Sequence, residues 1–180
     1  RDAMIFSDGA AAVVLEKTDN SEGGILAHES ATYAIEEANY IYFGESFNPE
    51  DTQNTKYIKM LGRKIYEFAL TNVPLAMKAC LDKSKVDISN IKKILIHQAN
   101  EKMDEAIIQR FYKLYGLDMP ENIMPMSINK LGNSSVATVP TLYDLILKGE
   151  LENHSINKGD HIIFASVGAG MNINAIIYQV

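Results

Sequence analysis

The stretch from Lys92 to Gly116, KKILIHQANEKMDEAIIQRFYKLYG, constrains the fold more than any other part of the sequence. Its first residues, KKILIH, form a short, dense aliphatic run that is typical of a buried strand. The residues that follow predict a helix, because Asn100 can cap it, acidic residues fill its first turns, and Gly116 can end it. A strand that passes directly into a helix indicates a layered α/β fold, with His97 at the carboxyl end of the strand.

The residues before this stretch predict strands followed by a helix. Two strands are expected in residues 3–18 around an Asp-Gly turn, and another strand in residues 23–34. Residues 40–55 contain Gly, Pro, Asn and Asp and predict a loop. A helical period begins at Lys56, and Pro74 predicts either a kink in this helix or two consecutive helices.

The residues after Gly116 complete the α/β pattern. A turn-rich loop is expected first, and then a helix that begins at Ser134 or Ser135. The last residues predict two strands around a glycine-rich bend, Val167–Met171. The sequence contains neither an internal repeat nor a low-complexity segment.

Composition excludes several classes of function. The net charge of −6 argues against nucleic acid as the main partner, and no apolar run approaches the length of a membrane helix. A single cysteine, Cys80, excludes an internal disulfide framework and fits a reducing compartment. The four histidines have no metal-ligand spacing, so no metal site is expected. The chain has no initiator Met and no signal peptide, and its first residues look like the inside of a larger protein.

Three places carry residues that suit chemistry as well as packing. His97 is either a histidine of an active site at a strand end or a core histidine bonded to the backbone. Asn133, in LGNSS, is either a donor to a substrate oxygen or the cap of the next helix. The bend Val167–Met171 either lets backbone N–H groups approach a ligand or simply joins two strands. Taken one at a time, these alternatives stay open.

Together and in this order, HQAN at 97–100, GNSS at 132–135 and GAG at 168–170 resemble the β-ketoacyl-acyl carrier protein synthase III family of condensing enzymes. FSDGAAAVVLEK and MLGRKIYEFALTNVP resemble two further segments of that family. The resemblance implies a thiolase-like α/β fold, whose two halves each contain a mixed five-stranded sheet with helices. Residues 1–50 would end the first half and connect it to the second. Residues 51–180 would form the second half, with a core at about 85–180.

The resemblance also implies a reaction. The family makes a carbon–carbon bond in fatty acid biosynthesis by decarboxylative Claisen condensation of malonyl-acyl carrier protein with an acyl group taken from acyl-CoA. Its cysteine nucleophile lies in the first half, so this chain alone is expected to be inactive. Cys80 matches no nucleophile motif and is expected to be a packing residue. The implied protein is a cytoplasmic homodimer whose thioesters are substrates, and no cofactor is expected.

Matching motifs carry the family's site residues onto this chain. His97 and Asn133 would donate hydrogen bonds to the malonyl thioester oxygen, and the Gly170 N–H would belong to an oxyanion hole. The residues expected to line the pantetheine tunnel are Gly62, Tyr66, Ala99 and Asn100. Those expected to contact the acidic carrier protein are Gln98, Lys102, Arg110 and Arg63, extended by Lys113 and Lys64. Two alternatives remain: a related thiolase-fold acyltransferase of specialised metabolism, and a non-catalytic subunit that binds acyl thioesters.

Overall fold

The structure, a computed structural model, describes residues 5–17, 19 and 23–180. Residues 3, 4 and 18 of the predicted N-terminal strand pair therefore lie outside the described residues. The helices and strands are, in chain order, β1 (Gly24–Thr32), β2 (Ile41–Gly44), β3 (Tyr57–Met60), α1 (Gly62–Ser84), β4 (Ile91–Ile96), α2 (Glu101–Lys113), α3 (Ile128–Leu131), α4 (Thr138–Leu147), β5 (His161–Gly168) and β6 (Asn172–Gln179).

The central sheet has four strands in the order β1-β6-β5-β4. β4 and β5 are parallel and the other pairs are antiparallel, so the sheet is mixed, as predicted. The resemblance implies five strands, and the described residues supply one fewer. Beyond β4, a loop meets the sheet through a backbone hydrogen bond from Ile94 N–H to Ile123 O at 2.9 Å. Pro120 and Pro125 flank Ile123 and have no N–H with which to extend a ladder.

Helices cover both faces of the sheet, which confirms the layered α/β fold. α1 and α2 pack on one face in a core that includes Ile94, Ile163 and Ile177. α4 packs on the other face, where Leu142 and Ile146 meet Leu95 and Ile162 in a smaller core. Side chains that alternate along β5 and β6 supply both cores, as expected for strands buried on two faces.

α1 is one helix that passes through Pro74, so of the two predicted alternatives, a kink or two consecutive helices, the second is wrong. Proline cannot donate to the carbonyl four residues before it, which leaves Leu70 O without its helical donor. The Arg110 guanidinium, on α2, donates to this oxygen at 3.3 Å. A side chain from the neighbouring helix therefore supplies the hydrogen bond that Pro74 cannot donate to the Leu70 carbonyl.

The segment before α1 forms a hairpin that the sequence does not predict. β2 pairs with β3 in an antiparallel register from Ile41–Met60 to Gly44–Tyr57. The loop predicted for residues 40–55 is therefore wrong at its start, and the helix predicted from Lys56 begins only at Gly62. The predicted division between residues 50 and 51 falls inside this hairpin. β1, which lies before the division, pairs with β6, which lies after it, so the two predicted units share one sheet.

The predicted N-terminal strand pair does not form in residues 5–17, which contain only an isolated parallel bridge between Phe6 and Asn133. The β-prone residues Val13, Val14 and Leu15 are exposed. A strand needs a neighbour for its backbone N–H and C=O groups, and the described part of the chain offers this segment only the backbone around Asn133.

The elements on either side of the predicted site are confirmed. β4 ends at Ile96, and Asn100 caps α2 by accepting a hydrogen bond from Met103 N–H at 3.2 Å. The helix predicted from Ser134 or Ser135 begins as a short 3₁₀ turn, Ser135–Ala137, and α4 itself starts at Thr138. β5 and β6 flank the glycine-rich bend. Each of these features has a strong local signal, which explains why the sequence predicts them.

Candidate active site

A cavity of about 580 Å³ lies beside the carboxyl ends of β4 and β5. Its walls are mostly apolar. They come from the β2–β3 hairpin, from the start of α4, and from the face of β5 and β6 that carries Phe164 and Ile176. No Asp, Glu, Lys or Arg side chain is among its lining residues within the described ranges. The polar side chains that line it are Tyr42, His97, Asn133, Ser135, Ser166, Asn172 and Asn174.

His97 is the first residue after β4, and it stays attached to the sheet because its N–H donates to Ala165 O at 2.9 Å. Its half-buried side chain lines the cavity. Burial lowers the pKa of the imidazole below its ordinary value, and the neighbouring Ser135 backbone opposes part of this lowering. The ring is therefore neutral near pH 7 and carries one N–H.

Asn133 reaches the same cavity from the loop that precedes α4. Its backbone is held on both sides, since its N–H donates to Ile5 O at 2.8 Å and its carbonyl accepts from Ser7 N–H at 2.9 Å. Its side-chain Oδ1 accepts from Ser135 N–H at 2.9 Å. The Nδ2 group therefore remains as the donor of this buried side chain.

Gly132 allows this close approach of two backbone segments. Its φ is +69°, in the left-handed region that favours glycine, and a Cβ atom there would lie 3.2 Å from Ile5 O. Any other residue at this position would strain the loop and push it away from the Ile5–Ser7 segment. The glycine of GNSS thus sets the position of the asparagine beside it.

The glycine-rich bend also borders the cavity, through Gly168 and Ala169. Gly170 is not among the lining residues, although its φ of +73° requires glycine-like freedom. The oxyanion-hole role of the Gly170 N–H stays a prediction.

The four residues predicted for the pantetheine tunnel divide into two groups. Ala99 lines the cavity beside His97, and Asn100 uses its side chain to cap α2. Gly62 and Tyr66 are exposed on the first turns of α1 and do not line the cavity. The structure therefore brings Ala99 to the predicted catalytic pair and leaves Gly62 and Tyr66 outside the cavity.

Gln98 does not lie on a surface that a carrier protein can contact, because its side chain is fully buried. Its Nε2 donates to Pro125 O at 2.8 Å, and its Oε1 accepts from the backbone N–H groups of Ser127 and Ile128, each at 2.9 Å. Gln98 therefore fastens the loop before α3 to the end of β4. The sequence gives little sign of this role, because the partners lie about 30 residues downstream.

The predicted basic residues are exposed, but not all of them are free for a partner. Lys102 is exposed on the first turn of α2. Arg63 forms a surface ion pair with Glu67 at 2.9 Å, and such a pair contributes little stability. Arg110 donates to Leu70 O, as described above. Lys102 and Lys113 are thus the exposed members of this group with no contact among the described side-chain hydrogen bonds, ion pairs and cation–π pairs.

Cys80 is a packing residue, as predicted. It is fully buried on α1, its Sγ contacts Ala175 O at 3.3 Å, and burial raises the pKa of the thiol. It does not line the cavity. A buried thiol with a raised pKa is a poor nucleophile.

Among residues 5–17, 19 and 23–180, no three His, Cys, Asp or Glu side chains are grouped to hold a metal ion. The same residues contain no helix of the length and hydrophobicity needed to cross a bilayer.

The architecture defines a class of protein first. The crystal structure of 3-oxoacyl-[acyl-carrier-protein] synthase III from Aquifex aeolicus matches 91% of this chain and 46% of its own chain, with a TM-score of 0.70 and 22% identity. The chain therefore has the thiolase-like fold of the condensing enzymes.

The family follows from the sequence comparisons. Residues 81–180 match the family described as 3-oxoacyl-[acyl-carrier-protein] synthase III, C terminal. The chain therefore belongs to the 3-oxoacyl-[acyl-carrier-protein] synthase III family, of which it represents the C-terminal portion. The β-ketoacyl-[acyl-carrier-protein] synthase III of Clostridium botulinum is 32% identical over 96% of this chain and 51% of its own length. That of Oenococcus oeni is 29% identical over 98% and 52%. The chain thus spans about half the length of these curated relatives.

Proposed function

We propose that this chain supplies the His97 and Asn133 part of a β-ketoacyl-acyl carrier protein synthase III active site. The complete enzyme would condense malonyl-acyl carrier protein with an acyl group taken from acyl-CoA, in fatty acid biosynthesis. One observation carries the proposal: two side chains 36 positions apart in the sequence line one mostly apolar cavity. Family membership and the thiolase-like fold support it.

In the proposed reaction, the malonyl thioester loses carbon dioxide, and the electrons of the broken C–C bond form an enolate with charge on the thioester oxygen. The Asn133 Nδ2 group and the His97 ring would donate to that oxygen. Donors that are already oriented in a low-dielectric site stabilise such charge by several kcal/mol. The enolate carbon then attacks the acyl thioester on the enzyme, and the cysteine sulfur leaves as the thiolate.

The cysteine would come from the first half of the family fold. Cys80 is fully buried away from the cavity, so it cannot take the acyl group. We therefore expect the 180-residue chain on its own to show no condensation. Turnover of acetyl-CoA and malonyl-acyl carrier protein by this chain alone would contradict the proposal.

The test separates the two chemical steps in the complete enzyme. His97→Ala and Asn133→Ala are expected to slow malonyl decarboxylation about 100-fold, because each removes one donor to the enolate. Acylation of the cysteine, measured with radiolabelled acyl-CoA, is expected to change only a few-fold. His28→Ala is the control, since His28 is exposed on β1 and does not line the cavity. Equal loss of both steps in the His97 and Asn133 variants would refute the assigned roles.

Carrier-protein docking is proposed for the exposed face of α2 that begins at Lys102. Carrier proteins are acidic, and this chain has a net charge of −6, so attraction requires a local basic surface. Lys102→Glu is expected to raise KM for malonyl-acyl carrier protein while leaving KM for malonyl-CoA unchanged. Equal KM changes for both thioesters would place Lys102 in thioester binding and not in protein docking.

The same proposal includes a cytoplasmic homodimer that uses thioester substrates without a cofactor. Two alternatives are outcomes of the assays: a thiolase-fold acyltransferase of specialised metabolism would condense other acyl donors or acceptors, and a non-catalytic subunit would bind thioesters without turnover.

A further inference from the structure

A row of polar side chains crosses the sheet, starting at His97. Ser166 on β5 pairs with Asn174 on β6, and Asn174 pairs in turn with Ser30 on β1. His97 adjoins Ser166, because its N–H donates to the carbonyl of the preceding residue, Ala165. Ala165 packs in the core beneath α1 and α2, and successive strand residues point to opposite faces. The row therefore lies on the cavity face of the sheet.

Asn174 is the member of this row with an unused donor. Ser30 Oγ donates to Asn174 Oδ1 at 2.8 Å, which fixes the amide with its Nδ2 turned the other way. In the part of the chain that the structure describes, no group accepts from this Nδ2. Asn172, two residues before, differs: its Oδ1 accepts from Thr32 Oγ1 at 2.6 Å and its Nδ2 donates to Ala169 O at 3.0 Å.

The surroundings of Asn174 make this donor costly to cover with hydrocarbon. Asn174 and Ser166 both line the cavity, and the next pair on the same face of these strands is Phe164 and Ile176. A plain alkyl chain lying here would displace water from the amide and offer no acceptor in exchange. A polar group buried without a partner weakens binding, whereas an oxygen placed at hydrogen-bond distance satisfies it.

The position of Asn174 indicates which part of a thioester would carry this oxygen. The pantetheine arm is expected on the α2 side of His97, at Ala99. Asn174 lies on the opposite side of His97, two strands away, which is about 10 Å at normal strand spacing. A group that extends from the reacting centre toward Asn174 is therefore the acyl chain.

We propose that Asn174 is a specificity-determining residue, whose amide N–H donates to a hydroxyl or carbonyl oxygen several carbons along the acyl chain. Ser166 lies between His97 and Asn174 and offers a second polar group to the same chain. The inference rests on the proposed function, because it requires that the cavity receives acyl thioesters. It adds a preference for oxygen-bearing acyl groups over plain hydrocarbon ones.

The test compares hexanoyl-CoA with 6-hydroxyhexanoyl-CoA in the complete enzyme, by kcat/KM for condensation and by calorimetric Kd. The enzyme is expected to favour the hydroxylated thioester about ten-fold or more, because its oxygen satisfies the amide. Asn174→Leu is expected to abolish or reverse this preference. Ser30→Ala is expected to reduce it in part, since the amide loses the contact that orients it. Asn157→Leu, at an exposed position outside the cavity lining, is the matched control.

Two results would overturn the inference. The first is equal Kd and equal kcat/KM for the two thioesters in the wild-type enzyme. The second is an Asn174→Leu variant that binds and condenses both thioesters less well, and to the same extent. The second result would make the row a structural contact and not a specificity element. Decarboxylation of malonyl-acyl carrier protein without an acyl donor tests the proposed function separately. If no thioester is condensed, the proposed function fails, and the two Kd values still decide the inference.

Discussion

Asp104 is a fully buried acid on α2, only seven residues after His97. Neither carboxyl oxygen has a hydrogen-bond partner among the described residues. Burial raises the pKa of this carboxyl from 3.8 to about 8. The backbone N–H groups of Asn100 and Ala99 lower it, but neither reaches hydrogen-bonding geometry, so burial dominates. We predict that Asp104→Asn stabilises the protein, and that the gain grows as the pH rises.

The sign of this pH dependence follows from which state, folded or unfolded, holds the Asp104 proton. Between about pH 4 and pH 8, the folded state keeps the Asp104 proton and the unfolded chain has released it. The folded state therefore binds more protons, and the free energy of unfolding falls as the pH rises through this window. Each pH unit corresponds to about 1.4 kcal/mol, so the loss between pH 5 and pH 7 is about 3 kcal/mol. Asparagine has no proton to release, so the variant lacks this loss.

The assay is urea unfolding, followed by circular dichroism at pH 5, 6 and 7, for the wild-type protein and Asp104→Asn. The free energy of unfolding of the variant, relative to wild type, is expected to rise by about 3 kcal/mol across this range. Glu105→Gln removes the same charge at the exposed neighbouring position and is the matched control. A difference between Asp104→Asn and wild type that stays constant with pH would refute the reasoning, because Asp104 would then be ionised in both states.

Three further predictions concern buried partners. Gln98→Leu is expected to lower the free energy of unfolding by about 3 kcal/mol in a urea titration, because the loop groups that Gln98 binds lose their partner; an unchanged midpoint would contradict this. Arg110→Met is expected to cost about 1 kcal/mol. The cost should shrink when Pro74→Ala restores the helical donor to Leu70 O, and equal costs in both backgrounds would show that Arg110 does not compensate for Pro74. Cys80 is expected to react with a thiol reagent only on unfolding, so rapid labelling of the native protein would show that the core is open.

The parts of the fold that the sequence predicts are those with local causes. The cap at Asn100 depends on a side chain and an N–H three residues apart, and the strand before it depends on consecutive aliphatic residues. The β2–β3 hairpin is missed because its pairing joins Ile41 to Met60 across a segment rich in turn residues. The N-terminal strand pair shows the opposite error: residues 5–17 are β-prone but do not form strands, because the described chain offers them no strand to pair with.

The candidate site also combines features that the sequence predicts with features that only the structure reveals. Residue patterns alone leave two alternatives for His97 and Asn133, a structural role and a catalytic one. The contacts show that each residue does have a structural role. His97 is held through its backbone N–H by Ala165 O, and the Asn133 side chain accepts from Ser135 N–H. These contacts leave the His97 ring and the Asn133 Nδ2 group beside the cavity. A residue that is well held is therefore a better candidate for catalysis, because an oriented donor needs no reorganisation when charge develops.

Asn174 extends this argument to a residue that no motif marks. In NINAII, asparagine alternates with apolar residues, which is what a strand with one polar face shows. Only the register reveals that this face continues the line from His97 through Ser166. Asn172 and Asn174 then separate by their contacts, because the amide of the first is satisfied at both ends and that of the second at one. Two asparagines on one strand therefore have different roles. Asn172 stabilises the bend by donating to Ala169 O, and Asn174 presents an N–H donor to a ligand in the cavity.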